Sequence, residues 1–321
     1  MSWLEQLQTS PALLWLVVLL AVVLPLPASY HPLTFFRFFA QKLAQKVNPD
    51  PRRSISQLRL SGTLALLLAL LPFLALLYAS NSLMAWPEWY QLLLLYLCLD
   101  FAPIRQRIMR LQQALAAQQL TLARDLASKV MLRQTRSLSS LGLSKAGIES
   151  LWLHFAHIWL NTLFWYFLGG IWLAIAIRLL LILQQEWSTK LSHNQHFGAP
   201  ASLLARYLLW PGYWLCFLLV CIRLRCRESF RQLGRAPVKT FDWAQTACLV
   251  SACASLGCRL GGPAIYEAER KVSRDKLATD YPEPDHRHLL GALKAQQRLL
   301  HFVLLLLGIA VAGWYLLFWY H

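Results

Sequence analysis

The sequence is poor in charged residues, and most of the charges it has are basic. Asp, Glu, Lys and Arg together make up 14% of its 321 residues, whereas hydrophobic residues make up 57%. The mean hydropathy of +0.42 is higher than a soluble domain of this length needs to fill one core. The composition therefore argues against a soluble enzyme and indicates an integral membrane protein.

Several familiar signatures are also missing from the sequence. It contains no P-loop and no dinucleotide-binding glycine motif, so neither of those nucleotide-binding folds is indicated. The seven cysteines include no CxxC pair, and we interpret them as small apolar fillers. The first apolar run follows Glu5 without any Lys or Arg, unlike a signal peptide, so we expect a retained helix.

Long apolar runs are the dominant feature that is present. One helical crossing needs about 20 mostly apolar residues, and the clearest runs of that kind are Pro11–Ala28, Ser61–Ala79, Leu203–Leu224 and Leu300–Tyr320. Residues 151–183 are long for one crossing and short for two, and the pair Gly169-Gly170 predicts a break there. The runs predict an all-α fold, a polytopic bundle of membrane helices.

The net charge of +16 is concentrated between the apolar runs. Positive-inside bias and contact with anionic lipid explain it without nucleic acid. We predict a single membrane domain over residues 1–321, with a cytosolic helical insertion at 105–147 and a charged extramembrane segment at 261–299. Whether the apolar, small-residue stretch 243–258 crosses the membrane stays open.

Two histidines interrupt an aromatic apolar run. On a helix, a polar stripe forms from Ser150, His154, His157 and Asn161, within roughly 60° of one another. The stripe is compatible with interhelical hydrogen bonds, with the lining of a functional cavity, or with a metal site. Glu149, beside the stripe, is either a functional carboxylate or a residue favoured by the helix dipole.

Two further stretches could bind anions. His31-Pro32 predicts an extended break followed by an amphipathic interfacial helix, which is a membrane-surface anchor or a phosphate-binding segment. Arg259 stands next to Gly261-Gly262, where backbone amides and a guanidinium could meet an anion.

Taken in order, these motifs resemble the adenosylcobinamide-phosphate synthase family, the CobD/CbiB-type membrane proteins of cobalamin biosynthesis. The matching motifs are "HPL" from His31, "ARDLASKVMLRQT" from Ala123, "AGIES" from Ala146, "LGG" ending at Gly170 and "LGCRLGGPAIY" from Leu256. The resemblance implies ATP-dependent amide formation between a corrinoid carboxylate and an amino-alcohol phosphate, with Mg²⁺ bridging phosphates.

The site residues carried over from the resemblance are His31, Arg133, Thr135, Glu149 and Arg259; His154, His157, Gly261 and Gly262 are candidates by their own chemistry and position. Candidate catalytic residues are Glu149, His154 and His157, and candidate substrate- or phosphate-binding residues are His31, Arg133, Thr135, Arg259, Gly261 and Gly262. The sequence departs from the family, which has acidic residues at two of the positions held by Leu153, His154 and His157, and Arg-Asp-Thr at 133–135. These replacements remove oxygen ligands that would suit Mg²⁺.

The expected cofactors are ATP and Mg²⁺ if the family activity is retained, with no metal site built by the chain itself. The expected partners are the lipid bilayer, a corrinoid substrate by resemblance and, in a homo-oligomer, a second copy of the chain. The expected location is a bacterial-type inner membrane. The alternative is a non-enzymatic regulator similar to the AmpE-type proteins of cell-wall and β-lactamase signalling, which also lack the acidic motifs. Transport is weaker, because the sequence shows no inverted repeat.

Overall fold

The computed structural model describes residues 11–27, 30–50, 53–236, 243–266, 271–272 and 274–319. The helices are α1 (Pro11–Val23), α2 (Pro32–Val47), α3 (Ile55–Ser82), α4 (Pro87–Cys98), α5 (Ala102–Ala116), α6 (Leu120–Ser128), α7 (Ser140–Phe155), α8 (Asn161–Glu186), α9 (Ala199–Leu208), α10 (Trp210–Val220), α11 (Cys226–Arg235), α12 (Trp243–Leu256) and α13 (His286–Trp319). The all-α class predicted from the apolar runs is confirmed.

Among the described residues, the elements other than α-helices are short. A π-helical turn at Ala156–Leu160 joins α7 to α8, a second at Cys221–Arg225 joins α10 to α11, and Ser192–Asn194 form a 3₁₀ turn. Strand β1 (Leu260–Gly261) pairs antiparallel with β4 (Lys276–Leu277), and β2 (Ala264–Ile265) pairs with β3 (Lys271–Val272). These two small ladders fold the segment before α13 back on itself.

Four helical stretches of the described chain are long and apolar enough to cross a membrane. They are Ile55–Ser82, Ser140–Glu186, Ala199–Arg235 and His286–Leu316. Three of the four clearest predicted runs fall on them, and the chain is a multi-pass membrane protein. The predicted first span is the exception, because the described part of its helix α1 has 13 residues and ends at Val23. Pro25 and Pro27 follow and cannot donate the backbone hydrogen bonds that would continue it.

The break predicted at the double glycine is present. Gly169 has φ −144° and ψ 22°, and Gly170 has φ 71° and ψ −169°, so α8 is two helical pieces joined by a kink. Within the predicted helical insertion, the helices before α7 are α5 and α6. Its cytosolic side and the domain limits proposed from the sequence stay predictions. Glu5, Ala28 and Tyr320, which belong to the predicted first and last spans or their flanks, lie outside the described residues.

The chain forms two compact units. The first contains Met1–Asp100, Thr162–Leu209 and Val303–His321, and the second contains Phe101–Asn161 and Trp210–Phe302. In the first, the indole of Trp187 donates a 2.9 Å hydrogen bond to the carbonyl of Ala40 and packs on the ring of Phe197. These contacts tie α2 to the segment that follows α8.

The second unit is built around α12. Its small residues, from Ala244 to Ala254, are almost all buried, and the helix packs against α10. Small side chains allow two helix backbones to approach closely, so this stretch is a core helix of the second unit with 14 residues. All seven cysteines are unpaired thiols, and all except Cys226 are buried, as expected of apolar fillers.

Replacing Gly62 with Ala is expected to destabilise the first unit. A Cβ at Gly62 of α3 would overlap the carbonyl oxygen of Phe197, and backbone cannot move aside as a flexible side chain can. We expect a loss of about 1–3 kcal/mol, measured by thermal or SDS unfolding in detergent. Gly313→Ala in α13 is the control, because its Cβ would meet nothing within 4 Å. Equal stability of the two variants would contradict the close approach.

Candidate anion-binding site

A buried carboxylate is the centre of the candidate site. Helix α7 begins after Ser139, whose side chain accepts a 3.2 Å hydrogen bond from the amide of Gly142. Two turns later the same helix carries Glu149, whose side chain is 1% exposed. A buried carboxylate is costly unless it is paired, so its partners decide what the site can do.

Two arginines and one backbone amide surround Glu149. Arg133, from the loop between α6 and α7, donates to Oε2, and Nη2 of Arg274 lies 3.2 Å from the same oxygen. The backbone amide of Gly261 donates to Oε1 at 2.8 Å. The carboxylate is therefore fully engaged, and it fixes the positions of both guanidinium groups.

A glycine turn brings these partners together. Gly261 has φ 75° and Gly262 has φ 88°, a left-handed conformation that favours glycine. The amide of Gly262 donates to the carbonyl of Asp275 at 3.0 Å, and Nε of Arg274 donates to the carbonyl of Gly262 at 3.2 Å. The pairing of β1 with β4 thus places Arg274 beside the turn and within reach of Glu149.

A second carboxylate lies at the edge of the site. Glu283 pairs with Nη2 of Arg259 at 2.6 Å and with Nζ of Lys145 at 3.6 Å. Burial alone would raise the pKa of Glu283, but the hydrogen bond from Arg259 and the two positive charges outweigh burial and hold the pKa below its usual range. Glu283 is therefore ionised at neutral pH.

We call this group of side chains, with the glycine turn, the Glu149 cluster; its members are Arg133, Lys145, Glu149, Arg259, Gly261, Gly262, Arg274 and Glu283. Its four cations exceed its two carboxylates by two positive charges. The buried Nε of Arg259 makes no hydrogen bond with any described residue. An excess of positive charge, an available donor and a glycine turn together suit an oxyanion such as phosphate.

The two histidines of the predicted stripe make different contacts. Nδ1 of His154 donates to the carbonyl of Ser150 at 2.7 Å, and Nε2 of His157 lies 2.6 Å from the hydroxyl of Tyr213. The side-chain oxygen of Asn161 accepts from the amide of Gly212 at 3.3 Å. The contacts of His157 and Asn161 link different helices and agree with the interhelical hydrogen-bond interpretation, whereas the contact of His154 lies within α7. A catalytic role for the histidines stays a prediction. A π-helical turn inside the stripe also alters the regular spacing from which it was predicted.

The remaining predicted residues fall in different places. The backbone carbonyl of Thr135, a buried residue, accepts a 3.1 Å hydrogen bond from Leu138 in the loop that carries Arg133. His31 belongs to the first unit and begins α2, where its Nδ1 accepts from the amide of Leu33 at 3.3 Å. Of the predicted residues, the Glu149 cluster unites Arg133, Glu149, Arg259, Gly261 and Gly262.

Sequence reasoning missed three members of the cluster. Lys145 lies one helical turn before Glu149, a spacing that could have drawn attention to it, although its partner is Glu283. Arg274 and Glu283 lie in the charged stretch before α13 and carry no local signal. Their position depends on how the β-ladders fold that stretch back.

The cluster does not fit a magnesium ion held by protein carboxylates. Both of its carboxylates are occupied by arginine, lysine or backbone donors, whereas Mg²⁺ requires hard oxygen ligands. Among the described residues, no group of three or more His, Cys, Asp or Glu side chains is arranged to hold a metal. The donors present fit the phosphates of a ligand.

A pH effect is expected at His31. Burial lowers its pKa below the usual 6.5, and the charges of Arg178 and Arg37 act in the same direction against Asp100. A lowered pKa in the folded state means that the unfolded chain binds the proton more readily, so stability is full above about pH 6.5 and falls as the pH falls below it. We expect the melting temperature of the purified protein to show this fall.

The control for the pH effect is His31→Asn. Asparagine can accept the same helix-starting hydrogen bond and does not titrate. The wild type should therefore lose more stability than His31→Asn between pH 7 and pH 5. Parallel pH profiles would show that His31 does not cause the effect.

The fold and the cluster define a multi-pass helical membrane protein with a basic site built on a buried carboxylate. A model of the family described as CobD/Cbib protein matches residues 14–296. The chain belongs to that family.

Two curated relatives agree with this assignment. The chain is 27% identical over 286 residues to the cobalamin biosynthesis protein CobD of Chromobacterium violaceum, covering 88% of this chain and 91% of the relative. It is 29% identical over 278 residues to the cobalamin biosynthesis protein CobD of Stutzerimonas stutzeri, covering 86% and 89%. No solved structure matches the chain.

Proposed function

We propose that this protein acts in cobalamin biosynthesis at the inner membrane, as a divergent synthase that joins a corrinoid carboxylate to an amino-alcohol phosphate. Membership of the CobD/Cbib family supports the pathway. The observation that carries the proposal is the Glu149 cluster, whose two excess positive charges suit the doubly charged phosphate of such a substrate.

In this proposal Glu149 is a positioning residue. It uses one nitrogen of each arginine, and a guanidinium has five N–H donors. Arg133 and Arg274 thus keep donors for a phosphate while their charges stay fixed. Arg259 contributes its buried Nε, and the glycine turn allows the backbone to come close to the ligand.

Amide formation from a carboxylate needs activation, which bound ATP would supply by phosphoryl transfer. The residues of the chain would bind and orient the phosphate groups through the arginines and Lys145. Because the cluster does not supply carboxylate ligands for Mg²⁺, we expect any Mg²⁺ to arrive with the nucleotide.

The first test measures, by calorimetry, the binding of aminopropanol phosphate to the full-length protein in detergent. We expect saturable binding that falls by about tenfold or more in Arg274→Gln, because hydrogen bonds to charged groups carry about 1.5–3 kcal/mol. Arg235→Gln is the matched control, since this arginine pairs with Asp280 at the surface. Binding that is equal in both variants would contradict the proposed site.

The second test is complementation of a synthase-deficient bacterial strain under corrinoid-dependent growth. The wild type and Arg235→Gln should restore growth, and Arg274→Gln should not. Membrane expression of all three proteins is measured in parallel. Failure of a well-expressed wild type would overturn the synthase activity.

A regulator without enzymatic activity, similar to the AmpE-type proteins, is the second candidate. It is favoured by one observation: both carboxylates of the cluster are already held by cations, as in a purely structural ion network. This candidate predicts no binding of corrinoid or ATP by the purified protein. It also predicts that Ala at Arg133 or Arg259 leaves the cellular phenotype intact.

A further inference from the structure

A second charged cluster lies in the first unit, around Arg178. This arginine belongs to α8, beyond the kink at Gly169-Gly170, and its side chain is 0% exposed. A fully buried guanidinium inside an apolar helix is costly and needs partners. Sequence reasoning gave Arg178 no role.

Three residues of the same unit surround it. Asp100, which follows α4, accepts from Nη2 of Arg178. Arg37 of α2 lies 3.9 Å from the other carboxylate oxygen of Asp100. His31 is close enough for all three charges to act on its pKa. We call Arg178, Asp100, Arg37 and His31 the Arg178 cluster.

The carboxylate of Asp100 does not use all the donors of the Arg178 guanidinium. Nε and Nη1 of Arg178 are both buried and make no hydrogen bond with any described residue. Nearly all buried donors in folded proteins have a partner, so two unused donors on one buried cation call for an acceptor. An acceptor with a negative charge would satisfy them best.

The charges in the cluster indicate how much negative charge that acceptor should carry. Asp100 neutralises one of the two arginines, and His31 is neutral at neutral pH because its pKa lies below the usual value. The cluster therefore carries one excess positive charge. Since Nδ1 of His31 accepts the amide of Leu33, its ring proton lies on Nε2 and adds another donor.

We propose that the Arg178 cluster is a second anion-binding site, which takes a singly charged phosphate group such as a phosphodiester. The site lies within the first unit and is separate in composition from the Glu149 cluster. It does not depend on the synthase activity proposed above.

The surroundings of Arg37 fit a phosphate from a lipid. Helix α2 exposes Phe35 and Phe38, and Lys42 stacks over the ring of Phe38 at 5.5 Å. Exposed aromatic and basic side chains on one amphipathic helix are typical of a helix that lies at the membrane surface. A phospholipid headgroup and a soluble phosphodiester share the chemistry that the cluster recognises.

The test uses the full-length protein in a mild detergent. Short-chain phosphatidylglycerol, short-chain phosphatidylcholine and dimethyl phosphate are titrated separately while the melting temperature is followed. We expect saturable stabilisation by phosphatidylglycerol, and stabilisation by dimethyl phosphate would show that the phosphodiester alone is sufficient. Stabilisation by phosphatidylglycerol but not by dimethyl phosphate would identify a lipid.

Variants test whether the Arg178 cluster is the binding site. Arg178→Lys keeps the charge but loses the planar set of donors, and we expect an apparent affinity about tenfold weaker. If Arg178→Lys does not fold, the affinity of Arg37→Gln is compared with the wild type instead. The side chain of Arg37 is 31% exposed, so its replacement disturbs the fold less. Lys42→Gln is the control for general attraction to the basic helix surface and should change the affinity little.

Two results would overturn the proposal. One is the absence of saturable stabilisation by any of the phosphodiester probes. The other is an affinity that is unchanged in Arg178→Lys, or in Arg37→Gln if that variant is used, since the phosphate would then bind elsewhere. Stabilisation by phosphatidylcholine that equals that by phosphatidylglycerol supports a phosphodiester site without selectivity for the headgroup.

Discussion

Glu149→Gln is expected to lower the free energy of unfolding by about 3–5 kcal/mol, the typical cost of removing one partner from a buried ion pair. Gln has the same shape but no charge, so Arg133 and Arg274 would face each other without their shared counter-ion. Gln could still accept the hydrogen bond from Gly261. The loss of stability therefore measures the effect of removing the charge rather than a change in packing.

Glu283→Gln is the matched control for this experiment. Glu283 also contacts two cations, but its side chain is 35% exposed, and ion pairs open to solvent contribute about 0–1 kcal/mol. Both variants are unfolded reversibly in mixed detergent and SDS micelles. A loss in Glu149→Gln no greater than that in Glu283→Gln would show that the buried carboxylate does not hold the cluster together.

Gly261→Ala is expected to cost about 2–4 kcal/mol and to weaken phosphate binding. The backbone at Gly261 has φ 75°, and a Cβ there would overlap the carbonyl oxygen of Asp275. The variant combines the strain of a left-handed non-glycine residue with overpacking against backbone. Relief of the overlap would move the amide that donates to Glu149 and would spread β1 from β4.

Gly257→Ala separates the two causes. Gly257 has a similar φ of 66°, but a Cβ there would meet nothing within 4 Å. This variant should lose only about 1–2 kcal/mol, the cost of the left-handed conformation, and should bind phosphate as the wild type does. Equal losses of stability in the two variants, with unchanged phosphate binding, would mean that a Cβ at Gly261 adds no cost beyond that of the left-handed conformation.

Much of the fold was predictable because it depends on local pattern. Apolar runs of sufficient length predicted the spans that contain α3, α10 and α13, and the double glycine predicted the kink in α8. The apolar run of the first span does not predict where its helix ends, since hydropathy continues past Val23 while the helix does not. Proline ends that helix for a steric reason that average hydropathy does not measure.

The candidate site was only partly predictable. Glu149, Arg133, Arg259 and the glycine turn could be chosen because they stand in motifs that resemble a family. Arg274 could not, because it reaches Glu149 through the pairing of two-residue strands whose register has no signal in hydropathy. The histidines look like a regular stripe in the sequence, but His157 lies in a π-helical turn and contacts Tyr213, whereas His154 bonds within its own helix.

By itself, the sequence determined that this is a membrane protein of the CobD/Cbib type with basic loops and a glycine turn beside an arginine. Those properties follow from composition and from neighbours along the chain. Only the tertiary structure decided that Glu149 is held by two arginines and that Arg178 is buried with unused donors. Burial and ion pairing bring together residues far apart in sequence, so they depend on the path of the whole backbone.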